Sequence, residues 1–297
     1  MELRQLEQFA AVAEELHFGR AAERLGMTQP PLSQAIQRFE LELGVRLFER
    51  THRSVELTPV GAALLPHVRE VLSAAGKLPR LADELFRGLR GQLRLAFVST
   101  ADYGVLPELL GGFSASYPEV AVSLLEATGD RQIEALIAEE IDAGIIIGRE
   151  RISLPESFEY LPLHDELLML AVPESLGIAA SRGEIALEEV AELPLLIFPR
   201  RVAPGLHDAI TGCLTGRGLA IRFGQEAIQM QTIVSLVSAG MGGAIVPESL
   251  RKLQRSGVRY FRIAGGTPSI ETGLIWRRDN ALPTLRNFVR LARQRAS

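Results

Sequence analysis

The sequence predicts an α/β protein with an all-α N-terminal part. Three observations carry this prediction. Over roughly the first 45 positions, apolar residues recur at helical spacing, punctuated at His17 and Gly26. From Thr58, about thirty residues keep a helical repeat without a strong turn signal. From Gly91 onward, short apolar runs alternate with amphipathic ones, the pattern of β-α-β units around a parallel sheet.

The bulk numbers bound the function. At 297 residues, with 47% hydrophobic and 23% charged residues, the chain has the length and composition for two ordinary globular domains or one large one. The single cysteine, Cys213, excludes an intrachain disulfide, and five scattered histidines leave little for a metal site. No cofactor and no metal is expected. The opening MELRQLEQFAAVAEEL is acidic and amphipathic, unlike a secretion signal, and no apolar run reaches the length of a membrane span. A cytoplasmic protein with no membrane contact is the expectation. The net charge is −4, and residues 1–60 hold seven Arg against nine acids. Bulk charge therefore gives no reason to expect nucleic-acid binding, and any such contact must rest on where the arginines sit.

Leu3, Leu6, Phe9, Val12/Ala13 and Leu16 form one face of a first helix. After His17, Phe18, Ala21, Ala22 and Leu25 form a short second helix, and the paired alanines allow close approach of a neighbour. Gly26 ends it as a residue free to take positive φ. Thr28 is then an N-cap, with Met27 and Leu32 placed for a hydrophobic staple. Pro30 and Pro31 fall in the first turn of a third helix, where the N–H groups have no intrahelical partner and proline loses nothing. Leu32, Ile36, Phe39 and Leu43 make its buried stripe. Gln29, Pro30, Pro31, Ser33 and Gln34 stay on its exposed start.

Helix, short helix, tight turn and helix is the helix-turn-helix layout, whose second helix puts its N-terminal residues into the major groove. Gln29, Pro30, Pro31, Ser33 and Gln34 are the candidate base readers. Beyond Gly44, VRLFERTHRSVELTPVG reads as a hairpin wing with Arg50, Thr51, His52, Arg53 and Ser54 at its tip. Arg38, Arg50 and Arg53 are the candidate phosphate anchors.

The run from Met1 to Gly61 resembles the DNA-binding domain of LysR-type transcriptional regulators. It carries AAERL, then Q-P-x-L-S-x-x-I-x-x-x-E-x-x-L-G-x-x-L-F-x-R, then T-x-x-G, at the family's separations. Phe39 stands where the family more often has leucine. The resemblance implies a winged helix-turn-helix, a long linker helix and a two-lobed effector-binding domain similar to periplasmic solute-binding proteins. It further implies a homo-oligomer, a dimer through the linker helix and then a tetramer, acting on double-stranded promoter DNA with a small-molecule effector and with RNA polymerase as a further partner.

The linker begins with Thr58 as N-cap and Pro59 at the first helical position. Val71, Ala75, Leu78, Ala82, Leu85 and Leu89 alternate spacings of four and three, a coiled-coil seam. Pro66 and Pro79 fall inside it and are expected to kink it. The domains expected are 1–58, the DNA-binding head; 59–88, the linker; and 91–297, the effector domain. Within the last, lobe I covers about 91–162 and 268–297, and lobe II about 163–267, with crossovers near 161–164 and 265–269.

Ligands of open α/β sheets bind at the carboxyl ends of strands. Those ends bring Ser99 and Thr100, Thr128, Arg149 after Gly148, and Glu226. The loop FPRRVAPG adds Arg200, Arg201 and Val202 before a helix. Hydroxyls, helix N-termini and arginines suit a carboxylate. FPRRVAPG is also similar to family members that regulate aromatic-compound breakdown, whose effectors are aromatic acids or ring-opened dicarboxylates. That resemblance implies Ser99 and Thr128 as effector contacts, whereas IIIGRE is two residues longer than the matching strand end in those regulators. An activator of aromatic catabolism is the resulting expectation. The alternative is a solute-binding or enzymatic α/β domain with an incidental helical N-terminus. Neither G-x-S-x-G nor H-E-x-x-H occurs, so an enzyme is not expected.

Overall fold

A computed structural model describes residues 1–50, 54–148, 154–179 and 181–296. The chain divides into two compact units, Met1–Asp83 and Glu84–Ser297.

The first unit holds α1 (Leu3–Glu15), α2 (Phe18–Arg24), α3 (Gln29–Leu43), β1 (Phe48–Arg50) and β2 (Val55–Leu57). It also holds most of α4 (Pro59–Phe86). Leu6, Phe9, Val12, Phe18, Ala21, Ala22, Leu32, Ile36, Phe39, Leu47, Phe48 and Val68 form one core. Phe9 is its centre, with ring centroids 6.0 Å from Phe39 and 5.5 Å from Phe48. Gly26 takes φ 64° and ends α2, as its sequence position requires. Thr28 occupies the N-cap position of α3 in extended conformation, but its side chain makes no capping bond. Thr58 does cap α4: its hydroxyl accepts the Gly61 N–H at 3.0 Å and donates to the Arg46 carbonyl at 2.9 Å. A Cβ on Gly61 would collide with the Leu47 carbonyl, which explains the T-x-x-G pairing. α4 runs unbroken through Pro66 and Pro79, so neither proline ends the helix.

The second unit contains β3 (Arg90–Phe97), α5 (Val105–Ser116), β4 (Glu119–Glu126), α6 (Gly129–Ile137), β5 (Ala143–Ile147) and β6 (Phe158–Pro173). Next come β7 (Glu184–Ile185), β8 (Leu195–Ile197), α7 (Pro204–Thr215), β9 (Phe223–Glu226) and α8 (Met230–Ser238). β10 (Ala244–Pro247), β11 (Val258–Ile263), β12 (Ser269–Arg277) and α9 (Pro283–Ala296) complete it. In lobe I the strand order is β4-β3-β5-β12-β6, with β4, β3 and β5 parallel. Two cores flank this sheet, one under α5 and α9 with Phe113 and Phe288 edge to face at 5.2 Å, the other under α6. In lobe II the last part of β6 lies between β10 and β11, β7 follows β11, and β8 pairs with β9. Its core gathers α7 and α8 against these strands.

The first crossover differs from expectation. β6 is one strand of 16 residues, pairing with β12 up to Leu167 and with β10 and β11 from Leu168. The chain therefore changes lobe at Leu167–Leu168 and not at 161–164. Pro162 and the polar His164-Asp165-Glu166 gave the appearance of a break. In the sheet, the β12 pairing shifts register between Thr272 and Gly273 and leaves Leu163 unmatched, a bulge that accommodates the proline. The return connection lies between Ile263 and Ser269, and the Leu168 N–H donates to the Pro268 carbonyl at 2.8 Å.

Candidate functional site

Two regions collect the candidate residues, one in each unit. In the first, burying Leu32, Ile36 and Phe39 turns the opposite face of α3 outward. Gln29, Pro30, Pro31, Gln34, Gln37 and Arg38 are all exposed on it. No acid lies in the first turn of α3, so the positive end of the helix is uncompensated there and favours an anion. Arg38 makes no hydrogen bond or ion pair among the described residues, which leaves its guanidinium available. Arg20 and Arg24 are committed instead, to Glu15 and to Glu14 and Glu15.

Ser33 and Arg50 sit differently from the other candidates. Arg50 ends β1, paired with Val55, and so belongs to the strand and not to the tip of the wing. Its Nη1 donates to Ser33 Oγ at 3.2 Å and its Nη2 to Glu40 Oε2 at 3.3 Å. The guanidinium carbon lies 4.7 Å from the centroid of the Phe18 ring. Glu40 was missed by sequence reasoning. Its other oxygen accepts the N–H groups of Leu47 and Phe48 at 2.8 and 3.1 Å, which pins the start of the wing. The E of the E-x-x-L-G motif was the available signal. Arg53 lies outside the described residues.

In the second unit, β4, β3 and β5 end side by side. The Ala127 N–H donates to the Phe97 carbonyl and the Val98 N–H to the Ile145 carbonyl, both at 3.0 Å. Ser99, Thr128 and Gly148 therefore follow three adjacent parallel strands. Thr128 is the N-cap of α6 with its hydroxyl uncommitted to the helix. Ser99 Oγ accepts the N–H of Met230, the first residue of α8, at 3.4 Å. That bond joins lobe I to lobe II. A second close approach lies beside it: a Cβ built on Gly205, near the start of α7, would stand 3.4 Å from the Gly148 Cα. The Thr100 side chain is buried, and its hydroxyl has no hydrogen-bond partner among the described residues, at the base of the same loop.

The structure thus brings Ser99, Thr100 and Thr128 together at the strand ends, opposite the N-termini of α7 and α8. The arginines are placed otherwise. Arg200 forms a two-point ion pair with Asp208 of α7, at 2.8 and 3.0 Å, and is largely exposed. That carboxylate neutralises the charge expected for a ligand. Arg201 is exposed, Val202 is half-buried with its N–H donated to the Pro199 carbonyl, and Glu226 is exposed at the end of β9. Arg149 lies outside the described residues. Among the described residues, no group of His, Cys, Asp and Glu could hold a metal ion. None of the described helices is long and apolar enough to cross a membrane.

Comparison with known proteins follows the same two-part division. Residues 3–62 match the family model described as bacterial regulatory helix-turn-helix protein, lysR family. Residues 86–297 match the LysR substrate binding domain. The chain is 52% identical over 297 residues to the HTH-type transcriptional regulator IlvR of Caulobacter vibrioides, covering 100% of this chain and 99% of that one. It is 34% identical over 294 residues to the HTH-type transcriptional regulator TfdS of Cupriavidus pinatubonensis, covering 99% and 98%. Among solved structures, full-length CbnR complexed with its target DNA aligns with a TM-score of 0.85 at 32% identity, covering 100% of both chains.

Proposed function

The chain belongs to the LysR family of DNA-binding transcriptional regulators, and on that premise we propose how its two sites work. Its relatives are named as regulators, which sets aside the enzymatic reading. In the proposal, the exposed start of α3 enters the major groove of promoter DNA in the cytoplasm. Gln29, Pro30, Ser33 and Gln34 meet base edges, Pro31 packs beside them, and Arg38 anchors a phosphate, joined by Arg53. Val71, Leu78 and Leu85 are 47, 59 and 46% exposed on α4, a regular apolar row that a second copy would cover. Dimers then present two reading helices to two half-sites, and pairing of the effector domains makes a tetramer that engages RNA polymerase as an activator.

We further propose that the effector is a small carboxylate, of the aromatic-acid or ring-opened dicarboxylate class, held between the lobes. The observation that supports it most is the Met230 N–H at the head of α8 meeting Ser99 Oγ across the cleft. A carboxylate oxygen is a stronger acceptor for that N–H than a hydroxyl, and it sits at the positive end of the helix. Ser99, Thr100 and Thr128 then supply donors from lobe I. Arg201, Val202 and Glu226 are further candidates for this site, Arg149 is one on its sequence position alone, and Arg200 serves it only by leaving Asp208.

Calorimetric titration of the full chain tests this, using benzoate- and muconate-type acids and their amides. One acid is expected to bind while its amide does not, and Ser99→Ala is expected to weaken it by about tenfold. Equal binding of acid and amide, or no binding by any acid, would remove the carboxylate assignment.

A further inference from the structure

The Arg50–Glu40 pair sits behind the reading face of α3. One carboxylate and one guanidinium tie together three elements that the chain separates. Glu40 holds the backbone at Leu47 and Phe48, Arg50 reaches back from β1 to Ser33, and the same guanidinium lies over Phe18 of α2. The Arg50 side chain is 29% exposed and that of Glu40 13%, so the pair is more enclosed than the ion pairs of Arg20 and Arg24. A cation already bonded to an acid and a hydroxyl and stacked on a ring is poorly placed to take a phosphate as well.

We infer that Arg50 is a positioning residue for sequence reading, which fixes the direction in which Ser33 donates its proton. The inference rests on the proposed reading that the start of α3 enters the major groove. A guanidinium has donors only. Ser33 Oγ must therefore accept from Arg50, and its own O–H cannot point back at the cation. The hydroxyl rotor is confined to the orientations facing away from Arg50. With one of its two lone pairs taken by Arg50, Ser33 meets a base edge chiefly as a donor, which suits the acceptors of the major groove: purine N7, guanine O6 or thymine O4. Without Arg50 the rotor is free, and the hydroxyl can equally accept from the amino group of cytosine or adenine. Arg50 thus contributes to specificity through Ser33, while Arg38 contributes affinity without sequence information.

The experiment uses full-length protein and a duplex that the wild-type chain selects from random-sequence DNA, beside its scrambled counterpart. Anisotropy titrations across a salt series give affinity, site preference and salt slope for wild type, Arg38→Gln, Arg50→Met, Arg50→Lys, Ser33→Ala and the Ser33→Ala/Arg50→Met double variant. Thermal melts identify any variant that has lost its fold, and Arg50→Lys keeps the charge should Arg50→Met be lost. Arg38→Gln is expected to flatten the slope by about one contact's worth and to weaken both duplexes equally. Arg50→Met and Arg50→Lys are expected to keep the slope and to lose site preference by about tenfold, as Ser33→Ala does, with no further loss in the double variant. A flatter slope in Arg50→Met restored by Arg50→Lys would make Arg50 a phosphate anchor and overturn the inference. So would losses that add in the double variant. A wild-type chain with no site preference at all would instead defeat the DNA-reading assignment itself, and the role of Arg50 with it.

Discussion

Glu14 is the carboxylate that fastens the head of the molecule to its long helix. It accepts Arg69 Nη2 of α4 at 2.9 Å and Arg24 Nη1 of α2 at 2.8 Å. Arg69 first, and then Arg24, hold its carboxyl below the usual carboxylate range. The folded protein therefore prefers the ionised form more than the unfolded chain does. The resulting stability is present above the ordinary carboxylate range and is lost as pH falls through the lowered folded value. It is small, because the three side chains are partly solvated. Glu14→Gln is expected to lower the urea midpoint slightly near neutrality and to match wild type in strong acid. A second residue has a larger effect. Asp142, buried at 4% exposure, accepts the Arg94 backbone N–H at 2.7 Å and pairs with its guanidinium at 2.6 Å. Asp142→Ala leaves that N–H unmet and is expected to destabilise the domain by about 1–3 kcal/mol, read by urea unfolding. At this scale, local chemistry was legible in the sequence: Gly26 as a helix end, Pro30 and Pro31 in a first turn, Thr58 as a cap. Pairings across space were not. The Glu40–Arg50 bond spans the connection from α3 to β1, ten residues in sequence, and Arg200 reaches Asp208 eight residues on, separations that no local periodicity encodes.

The elements divide in the same way. Helices with one buried stripe declared themselves, α1 and α3 nearly to the residue, because their cores lie on a 3.6-residue period. β6 did not. Its first ten residues carry Pro162 and three consecutive polar side chains, and only its partner β12 shows why they still form a strand. β7, two residues long, left no pattern to read. α4 is legible in length, and its exposed apolar row yields a direct prediction. Leu78→Glu puts a charge on a residue that is 59% exposed in the single chain. The variant is expected to keep its fold and to sediment as a monomer, with DNA affinity reduced because two half-sites are no longer held together. A variant that stays dimeric would place the partner surface elsewhere.

In the effector domain Tyr103 and Ile147 of lobe I pack against the lobe II core, and beside them the lobes meet through two much smaller contacts. Gly148 and Gly205 approach without any side chain between them, and the Ser99 hydroxyl touches the head of α8. Gly205→Leu inserts a side chain where its first carbon alone already touches Gly148. It is expected to prop the lobes apart, to abolish the response to effector, and to leave ligand-free DNA binding unchanged in the same anisotropy assay. The regulatory claim needs a ligand that prefers one cleft geometry over another, since equal affinity for both would shift nothing. The most direct measurement is a footprinting titration of the full-length protein on the DNA upstream of its own coding sequence, with and without aromatic acids and muconate-type dicarboxylates. Protection of a dyad-symmetric site at moderate salt is expected, with one acid extending or shifting the protected region. Protection that no acid moves would contradict the carboxylate switch, and no protection at all would contradict the reading of α3 as the helix that recognises DNA.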